Sequence, residues 1–537
     1  MFKSRKASAS AASDSAATSD FDVVIAGGGH NALACAAILC KAGIRTLVAE
    51  RNAWVGGGAV TLELTQPGFK HDLFGSNHVW IHANPYIRDL LPELKQYGLE
   101  YLWGEDEIMG HPMTDGPGVI VYRDLDKTCD SIAEYSKKDA ARYREIYDGF
   151  VEIKDGFSRN MFSPPSPPSY MPAAMEKNPE GLKMLRNYNL SARAFVLENF
   201  ENPHIQAFLT SWALGPNIKP TQQGAGSIFY IMIPAIHVYG QAIPRGGSIQ
   251  LPNALAKYVA AHGGKVLTNS PVDKILVDRG VARGIRLEDG TEITARRAVV
   301  SALEPQQTFL RMVDQEHLSE DFLRSVKNFT FGDVASFRTH FALHEAPHYM
   351  GSENISKAPF QRTITSMEDI NRHFAELSVG KPSNQPPVHG HCWSLRDSTR
   401  APEGKHTFMI DTFVPSKLAS GSWADIKEAY AGELMKTLRT YTTNMTDDNI
   451  IASVSHSPED MEAYNPCFVG GVPSGGERTL AQLGYFRPFP GYSQYRGPLE
   501  QLYLAGPSCH PGGGISGMGV ITAMEMLKDF GMAEEEF

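Results

Sequence analysis

The first regular pattern of apolar and polar positions in the chain predicts a strand, a helix and a second strand. A β-branched apolar run at residues 22–26 predicts a buried parallel strand, and three glycines follow it directly. An alanine-rich amphipathic stretch at residues 31–42 predicts a helix, which Gly43 ends. The apolar residues 46–49 predict a second strand, and Glu50 follows it. This order of elements predicts a βαβ unit.

The residues that connect these elements favour a dinucleotide-binding unit over an ordinary glycine turn. Gly27 permits the tight turn, and Gly29 lets backbone N–H groups approach a pyrophosphate at the positive N-terminal end of the helix. Ala32 stands at the third glycine position of the motif, where it still permits close packing of the helix on the strand. Glu50 ends the second strand and is placed to accept hydrogen bonds from a ribose.

Later apolar runs predict a cavity wall and a β-meander. Residues 228–236 form an unbroken apolar run that is too short to span a bilayer, so we expect a buried segment lining a cavity. His237 ends this run and either faces the cavity or is a hydrogen-bonded core histidine, the interpretation we favour. Residues 251–261 predict a helix, and the meander after it has hairpin turns at residues 278–280 and 288–290.

A proline-rich segment at residues 160–172 predicts an irregular surface loop. Its four prolines exclude a regular helix. Four large apolar residues of this segment are expected to be exposed: Met161, Phe162, Tyr170 and Met171. Two interpretations stay open, a loop that contacts a membrane peripherally and an ordinary proline loop, of which we favour the second.

Composition and charge exclude several classes of protein. The 537 residues are 42% hydrophobic and 20% charged, which predicts either two or three domains or one large intertwined globular fold. A formal net charge of -10 argues against nucleic acid as a partner. Six cysteines without a CxxC pair predict a reducing compartment and no disulfide framework. Cys35 and Cys40 share the first predicted helix about 8–9 Å apart, which is too far for a disulfide.

The first twenty residues are rich in serine and alanine and predict a disordered tail. Three basic residues near the start are a weak sign of a transit peptide, but Asp14 and Asp20 count against it. We therefore expect a cytoplasmic protein, with membrane association as an alternative and a mitochondrial location less favoured.

Two motifs carry a resemblance to a known family. The first follows Glu50 and consists of Val55-Gly56-Gly57, Thr61, Glu63, Pro67-Gly68-Phe69 and Asp72. The second is HPGGGISGM at residues 510–518, with Arg487, Tyr495 and Arg496 before it. Over about residues 21–531 the chain resembles the flavoprotein family of phytoene dehydrogenase-related proteins, which includes carotenoid desaturases and a desaturase-like β-carotene ketolase. Residues 85–150 resemble the ketolase branch most.

The C-terminal motif has a second possible meaning that we reject. Residues 502–505 predict a strand running into Gly506, and residues 512–514 are expected to open a helix near Ser516. The glycines repeat the spacing of the first motif, but no second strand and ribose acid follow. We interpret this helix N-terminus as directed at the pyrimidine edge of a flavin, where reduction places negative charge. No nicotinamide site is predicted, so oxygen or a quinone is the expected electron acceptor.

The resemblance implies an α/β fold, an FAD-binding Rossmann-type domain of the glutathione-reductase-like or amine-oxidase-like kind with an inserted α+β substrate domain. The FAD domain would comprise residues 21–110, 236–310 and 478–537, and the substrate domain residues 111–235 and 311–477. Val272 would pack on the adenine. The predicted cofactor-binding residues are Gly27, Gly29, His30, Asn31, Ala32, Glu50, Arg51, Gly57, Gly58, Val272, Gly506, Gly513, Gly514 and Ile515.

The resemblance also implies dehydrogenation of a hydrophobic polyene or isoprenoid by hydride transfer to flavin. A ketolase or redox isomerase on the same fold, and a non-catalytic flavin-bound assembly protein, are the alternatives. For the catalytic base the candidates are His510, His237 and His78, in that order. His389 and His391 alternate on one strand face but lack a third ligand at a suitable spacing, so no metal site is predicted.

Overall fold

The structure, a computed structural model, describes residues 20–104, 106–214, 218–363 and 366–532, so the tail predicted for residues 1–20 lies almost wholly outside the described residues. Within these ranges the strands are β1 (Phe21–Ala26), β2 (Thr46–Ala49), β3 (Thr61–Leu62), β4 (His71–Asp72), β5 (Tyr101–Leu102), β6 (Glu107–His111), β7 (Val119–Tyr122), β8 (Ile243–Pro244), β9 (Lys265–Leu267), β10 (Val272–Asp278), β11 (Val281–Leu287), β12 (Glu292–Ser301), β13 (Val334–Leu343), β14 (Phe360–Thr363), β15 (Val388–His391), β16 (His406–Pro415), β17 (Ile450–His456) and β18 (Leu502–Leu504).

The α-helices within the same ranges are α1 (His30–Lys41), α2 (Val79–Ala83), α3 (Pro85–Leu94), α4 (Leu125–Ala133), α5 (Lys137–Met161), α6 (Tyr170–Met175), α7 (Pro179–Asn189), α8 (Ala192–Asn199), α9 (Pro203–Thr210), α10 (Ser227–Tyr239), α11 (Gln250–Ala261), α12 (Glu320–Lys327), α13 (Glu353–Lys357), α14 (Met367–Ser378), α15 (Trp423–Arg439), α16 (Pro458–Tyr464) and α17 (Gly519–Asp529).

The first sheet is built around β1. β1 lies between β12 and β2 with all three strands parallel, and β18 and β9 extend the sheet in parallel on either side. A strand covered on both faces needs apolar side chains throughout, which explains the fully buried run from Val23 to Ala26. α1 packs against α11 and α17. Because the strands are parallel, their carboxyl ends meet at one edge, where Gly27, Glu50 and Ala302 follow β1, β2 and β12.

β10, β11 and β12 form the antiparallel meander that the hairpin signals predict. The turn between β10 and β11 places Arg279 at φ 48° and Gly280 at φ 81°, a left-handed pair that fits the twist of a tight hairpin.

The second sheet runs in the order β17-β13-β16-β15-β14-β6-β7 and is antiparallel except where β14 pairs with β6. One face is covered by α15, whose Trp423 packs against Phe337 of β13 with ring centroids 5.7 Å apart. The opposite face lines a cavity shared with the carboxyl edge of the first sheet. The predicted domain boundary between residues 110 and 111 falls inside β6. The division of the chain into two domains stays a prediction.

Two predicted elements differ in the structure. α17 begins at Gly519 and not near Ser516, because Gly517 has φ 65°, outside the helical region, and the Asn84 amide binds the carbonyls of Ser516 and Gly517. In the proline-rich segment, α5 continues through Met161 before the first proline and turns Phe162 inward, so the prediction that Phe162 is exposed is wrong.

Other expectations about this part of the chain hold. Tyr170 and Met171 are exposed, and they open α6, which tolerates Pro172 in its first turn, where a backbone N–H has no helical partner. Cys35 and Cys40 are free, buried thiols. None of the helices in the described ranges combines the length and apolar character needed to cross a membrane.

Candidate cofactor and substrate site

A cavity of about 1070 Å³ lies between the carboxyl edge of the first sheet and one face of the second. The glycine loop after β1, the end of β2 and the C-terminal glycine segment form one side. α10 and the strands β13 to β16 form the other. The predicted cavity-lining role of residues 228–236 is therefore confirmed, with Ile228, Ile231, Met232 and Ile236 in the wall.

The two glycines singled out in the first loop are required for different reasons. Gly27 has φ 93°, and a Cβ there would lie 2.8 Å from Leu303 Cδ2, so the fold itself requires glycine. Gly29 has φ -65° and ψ 162°, values open to any residue. A Cβ on Gly29 would meet only Gly57 Cα at 3.9 Å. Because protein atoms leave room there, the lack of a side chain at Gly29 fits a ligand that contacts the backbone at the N-terminus of α1.

Glu50 closes the same side of the cavity with its carboxylate fixed by two backbone donors. The Gly28 N–H donates to Oε2 at 2.8 Å, and the Asn52 N–H donates to Oε1 at 2.8 Å. Burial raises the pKa of Glu50, while these two donors oppose that change. Each carboxylate oxygen has further acceptor capacity, which suits ribose hydroxyls.

His30 ties three glycine segments together. Its Nδ1 lies 3.3 Å from the Gly56 carbonyl oxygen and its Nε2 lies 3.2 Å from the Gly514 carbonyl oxygen. Burial lowers the pKa of His30, and the two carbonyls oppose that change. The neighbouring Asn31 lines the cavity, and its buried Oδ1 has no hydrogen-bond partner among the described residues. An orphaned acceptor of this kind fits a site that is completed by a bound polar group.

Two buried arginine side chains fix the C-terminal glycine segment, residues 512–516, by donating hydrogen bonds to backbone carbonyls. Arg478 Nη2 donates to the Gly513 carbonyl at 2.7 Å, and Arg487 donates to the carbonyls of Ser474, Pro507 and Cys509. This bracing presents Gly512–Ser516 as part of the cavity wall.

Nearly all predicted cofactor-binding residues lie around this one cavity. The lining includes Gly27, Gly29, His30, Asn31, Ala32, Glu50, Arg51, Gly57, Gly58, Val272, Gly513, Gly514 and Ile515. Gly506 lies outside it, with a backbone that packs so closely on β12 that a Cβ would be 2.9 Å from the Ala302 carbonyl oxygen.

The three predicted catalytic histidines do not line the cavity. The His237 ring lies 2.8 Å from the Tyr143 hydroxyl and 3.4 Å from the Arg123 carbonyl, as the core interpretation expects. His78 is enclosed by Tyr101 and Ser248. His510 is hydrogen-bonded to the backbone of Met161, and burial lowers its pKa to about 4. The geometry therefore does not favour a catalytic role for His510 or His237.

One polar cluster in the cavity escaped the sequence analysis. The Asp411 Oδ1 lies 3.3 Å from His389 Nδ1 and 3.2 Å from His391 Nε2, and all three residues line the cavity. The two histidines thus share a partner on the neighbouring strand, twenty residues later. The signal for it was a single acid inside the apolar run of β16. Within the described residues, no group of three or more His, Cys, Asp or Glu is arranged to hold a metal ion.

The parallel sheet, the glycine cradle, the acid at the end of β2 and the adjoining apolar cavity define an FAD-binding oxidoreductase. Residues 33–518 match the model of a family described as flavin containing amine oxidoreductase. The chain belongs to this family.

Similarity extends over almost the whole chain. A limonene dehydrogenase component of Castellaniella defragrans is 27% identical over 532 residues, or 95% of each chain. The lycopene-forming phytoene desaturase of Paracoccus sp. is 24% identical and covers 95% of this chain and 98% of its own. An oxidoreductase from Methanosarcina mazei has the same fold, with a TM-score of 0.60 at 17% identity over 94% of this chain and 99% of its own. The predicted fold class, desaturase-like resemblance and FAD cofactor are confirmed.

Proposed function

We propose that the protein dehydrogenates an apolar, conjugated or allylic small molecule. The observation that carries this proposal is α10, whose apolar side chains face the cavity that Gly29 and Glu50 also line. Burial of apolar area on binding contributes about 25 cal/mol per Å², so a hydrocarbon gains most from this wall.

The residues of the chain bind and orient the substrate and exclude water. Bound FAD supplies a hydride acceptor. Hydride removal beside a π system leaves a cation, which either passes a proton to a base, for which the Asp411 carboxylate lines the same cavity, or takes up water. Because Ile228, Ile231 and Ile236 present only apolar surface, proton loss is favoured and the product is a new double bond.

Two similar proteins support this proposal: one is named as a limonene dehydrogenase subunit and the other as a phytoene desaturase. Limonene and phytoene are both isoprenoid hydrocarbons. Oxygen or a quinone accepts the electrons. Tyr170 and Met171 are exposed, as both a peripheral membrane contact and an ordinary surface loop require.

The test is anaerobic mixing of the FAD-loaded protein with limonene and phytoene, while the flavin colour is recorded. We expect bleaching by at least one of them. Ile231→Asp places a charge in the apolar wall and should abolish bleaching without loss of FAD, whereas Ile231→Leu should preserve it. Absence of bleaching by both compounds, or bleaching that survives Ile231→Asp, contradicts the proposal.

A further inference from the structure

Four charged or polar side chains cross the cavity face of the second sheet in one row. Strand register sets Arg338 of β13 opposite Asp411 of β16, Asp411 opposite His389 of β15, and His389 opposite Arg362 of β14. All four are buried and all four line the cavity. A row of this kind inside an apolar cavity is costly unless each group is paired.

The groups near β16 share one carboxylate, that of Asp411, while Arg338 Nε and His389 Nε2 have no hydrogen-bond partner among the described residues. The Oδ1 of Asp411 accepts hydrogen bonds from the rings of His389 and His391, and its Oδ2 lies 3.9 Å from Arg338 Nη2. These hydrogen bonds hold the pKa of Asp411 well below its usual range although burial acts in the opposite direction. Arg338 also donates to the carbonyls of Leu73 and Phe74, beside the glycine segments of the cofactor side.

Arg362, at the other end of the row, is not paired. Its Nη1 donates to the Ser211 carbonyl, and no carboxylate forms an ion pair with it among the described residues. Its guanidinium lies over the rings of Trp212 and Phe360, at 5.5 and 5.1 Å from their centroids. Nε has no partner in the described part of the chain. Burial lowers the pKa of Arg362 to about 10, so the side chain is still a cation at neutral pH.

The row therefore holds two guanidinium groups against the single carboxylate of Asp411. Burial lowers the pKa of His389, although its hydrogen bond to Asp411 acts in the opposite direction. The excess positive charge sits at Arg362, where Nε has no hydrogen-bond partner among the described residues and Nη2 completes the side edge of the guanidinium. A planar carboxylate matches that edge with two parallel hydrogen bonds.

We propose that Arg362 binds the carboxylate at one end of an elongated apolar substrate. Three strand spacings of about 4.8 Å separate β14 from β13, so the anchor lies about 14 Å from the Arg338 end of the row, which adjoins the cofactor side. A hydrocarbon chain lying along α10 then reaches from the anchor to the cofactor. This inference rests on the proposed function and adds that, among apolar unsaturated substrates, those that end in a carboxylate bind most tightly.

The test compares two probes on the oxidised, FAD-loaded protein: cis-parinaric acid, a fluorescent conjugated tetraene acid, and its methyl ester. The acid should bind about 10- to 150-fold more tightly, as expected for hydrogen bonds to a charged group. Arg362→Met should remove the preference and leave ester binding unchanged. Arg362→Lys should reduce the preference without removing it, because lysine keeps the charge and loses the planar edge. Arg193→Met, at an exposed position outside the cavity, is the matched control and should behave as the unaltered protein.

Equal binding of acid and ester by the unaltered protein overturns the proposal. So does a preference that survives Arg362→Met, or one that Arg362→Lys leaves unchanged. If Arg362→Met fails to retain FAD, the unaltered protein and Arg362→Lys decide the question. The readout needs no turnover, so a lack of flavin bleaching alongside an intact acid preference contradicts only the proposed function.

Discussion

Substitution of Gly29 by alanine should weaken FAD binding without lowering the stability of the FAD-free protein. The backbone of Gly29 has φ -65° and ψ 162°, which alanine adopts freely. The new Cβ would lie 3.9 Å from Gly57 Cα, an ordinary contact distance. Gly27 is the matched comparison, because alanine there combines φ 93° with a contact of 2.8 Å to Leu303.

The magnitudes follow from these contacts. Gly29→Ala should leave the stability of the FAD-free protein within about 0.5 kcal/mol, or raise it by about 0.4–1 kcal/mol through the unfolded chain. A methyl group forced into a close contact with the pyrophosphate costs about 1–3 kcal/mol. That energy weakens FAD binding by about 5- to 150-fold. Gly27→Ala should instead lower the stability of the protein itself.

The assay has two parts. FAD titration of the stripped protein, followed by flavin fluorescence, gives the dissociation constant, and urea unfolding of the same samples gives the stability. The reasoning is refuted if Gly29→Ala binds FAD as the unaltered protein does, or if it destabilises the FAD-free protein as much as Gly27→Ala.

Four further outcomes are expected. Glu50→Gln loses a charge-assisted acceptor and should weaken FAD binding by about 1–3 kcal/mol, whereas Glu403→Gln, at an exposed position, should not. Equal FAD dissociation constants for Glu50→Gln and the unaltered protein would contradict the role of Glu50 as the ribose acceptor. Arg400→Met leaves the buried Asp72 without its 2.7 Å partner and should cost about 3–5 kcal/mol in urea unfolding. Burial lowers the pKa of His78 to about 3, so the unfolded chain takes up this proton at a higher pH than the folded chain does. The free energy of unfolding should therefore fall as pH drops from about 6.5 towards 3. His78→Gln should reduce the slope of that free energy against pH by up to about 1.4 kcal/mol per pH unit. NADH and NADPH should not reduce the flavin rapidly in anaerobic stopped-flow mixing, and rapid reduction would reveal a nicotinamide site.

Local patterns were sufficient for the cofactor side of the molecule. The strand, glycine loop, helix and acid between residues 21 and 50 are contiguous, so their spacing alone predicted β1, α1, β2 and the position of Glu50. The hairpins of the meander were equally local. Details that depend on distant contacts were missed, such as the start of α17, which the side chain of Asn84 helps to set from more than four hundred residues away.

The substrate side depended on long-range register. His389 and His391 were recognised as neighbours on one strand face, but their partner Asp411 lies on another strand, and only sheet pairing brings the two together. Arg362 was missed for the same reason, because nothing in its local sequence shows that β14 lies beside β15. The catalytic histidines were chosen by proximity to motifs, and in the structure none of the three lines the cavity.

The most direct test of the central claim is the mass of the product after turnover in 18O-labelled water under 16O2. We predict a product two mass units lighter than the substrate and free of label, because the side chains of Ile228 and Ile236 in the cavity wall offer no hydrogen bond to a water molecule. A ketone carrying the label from water would contradict dehydrogenation and identify a ketolase. Label that enters only in the reciprocal experiment with 18O2 would contradict the hydride-transfer account as a whole.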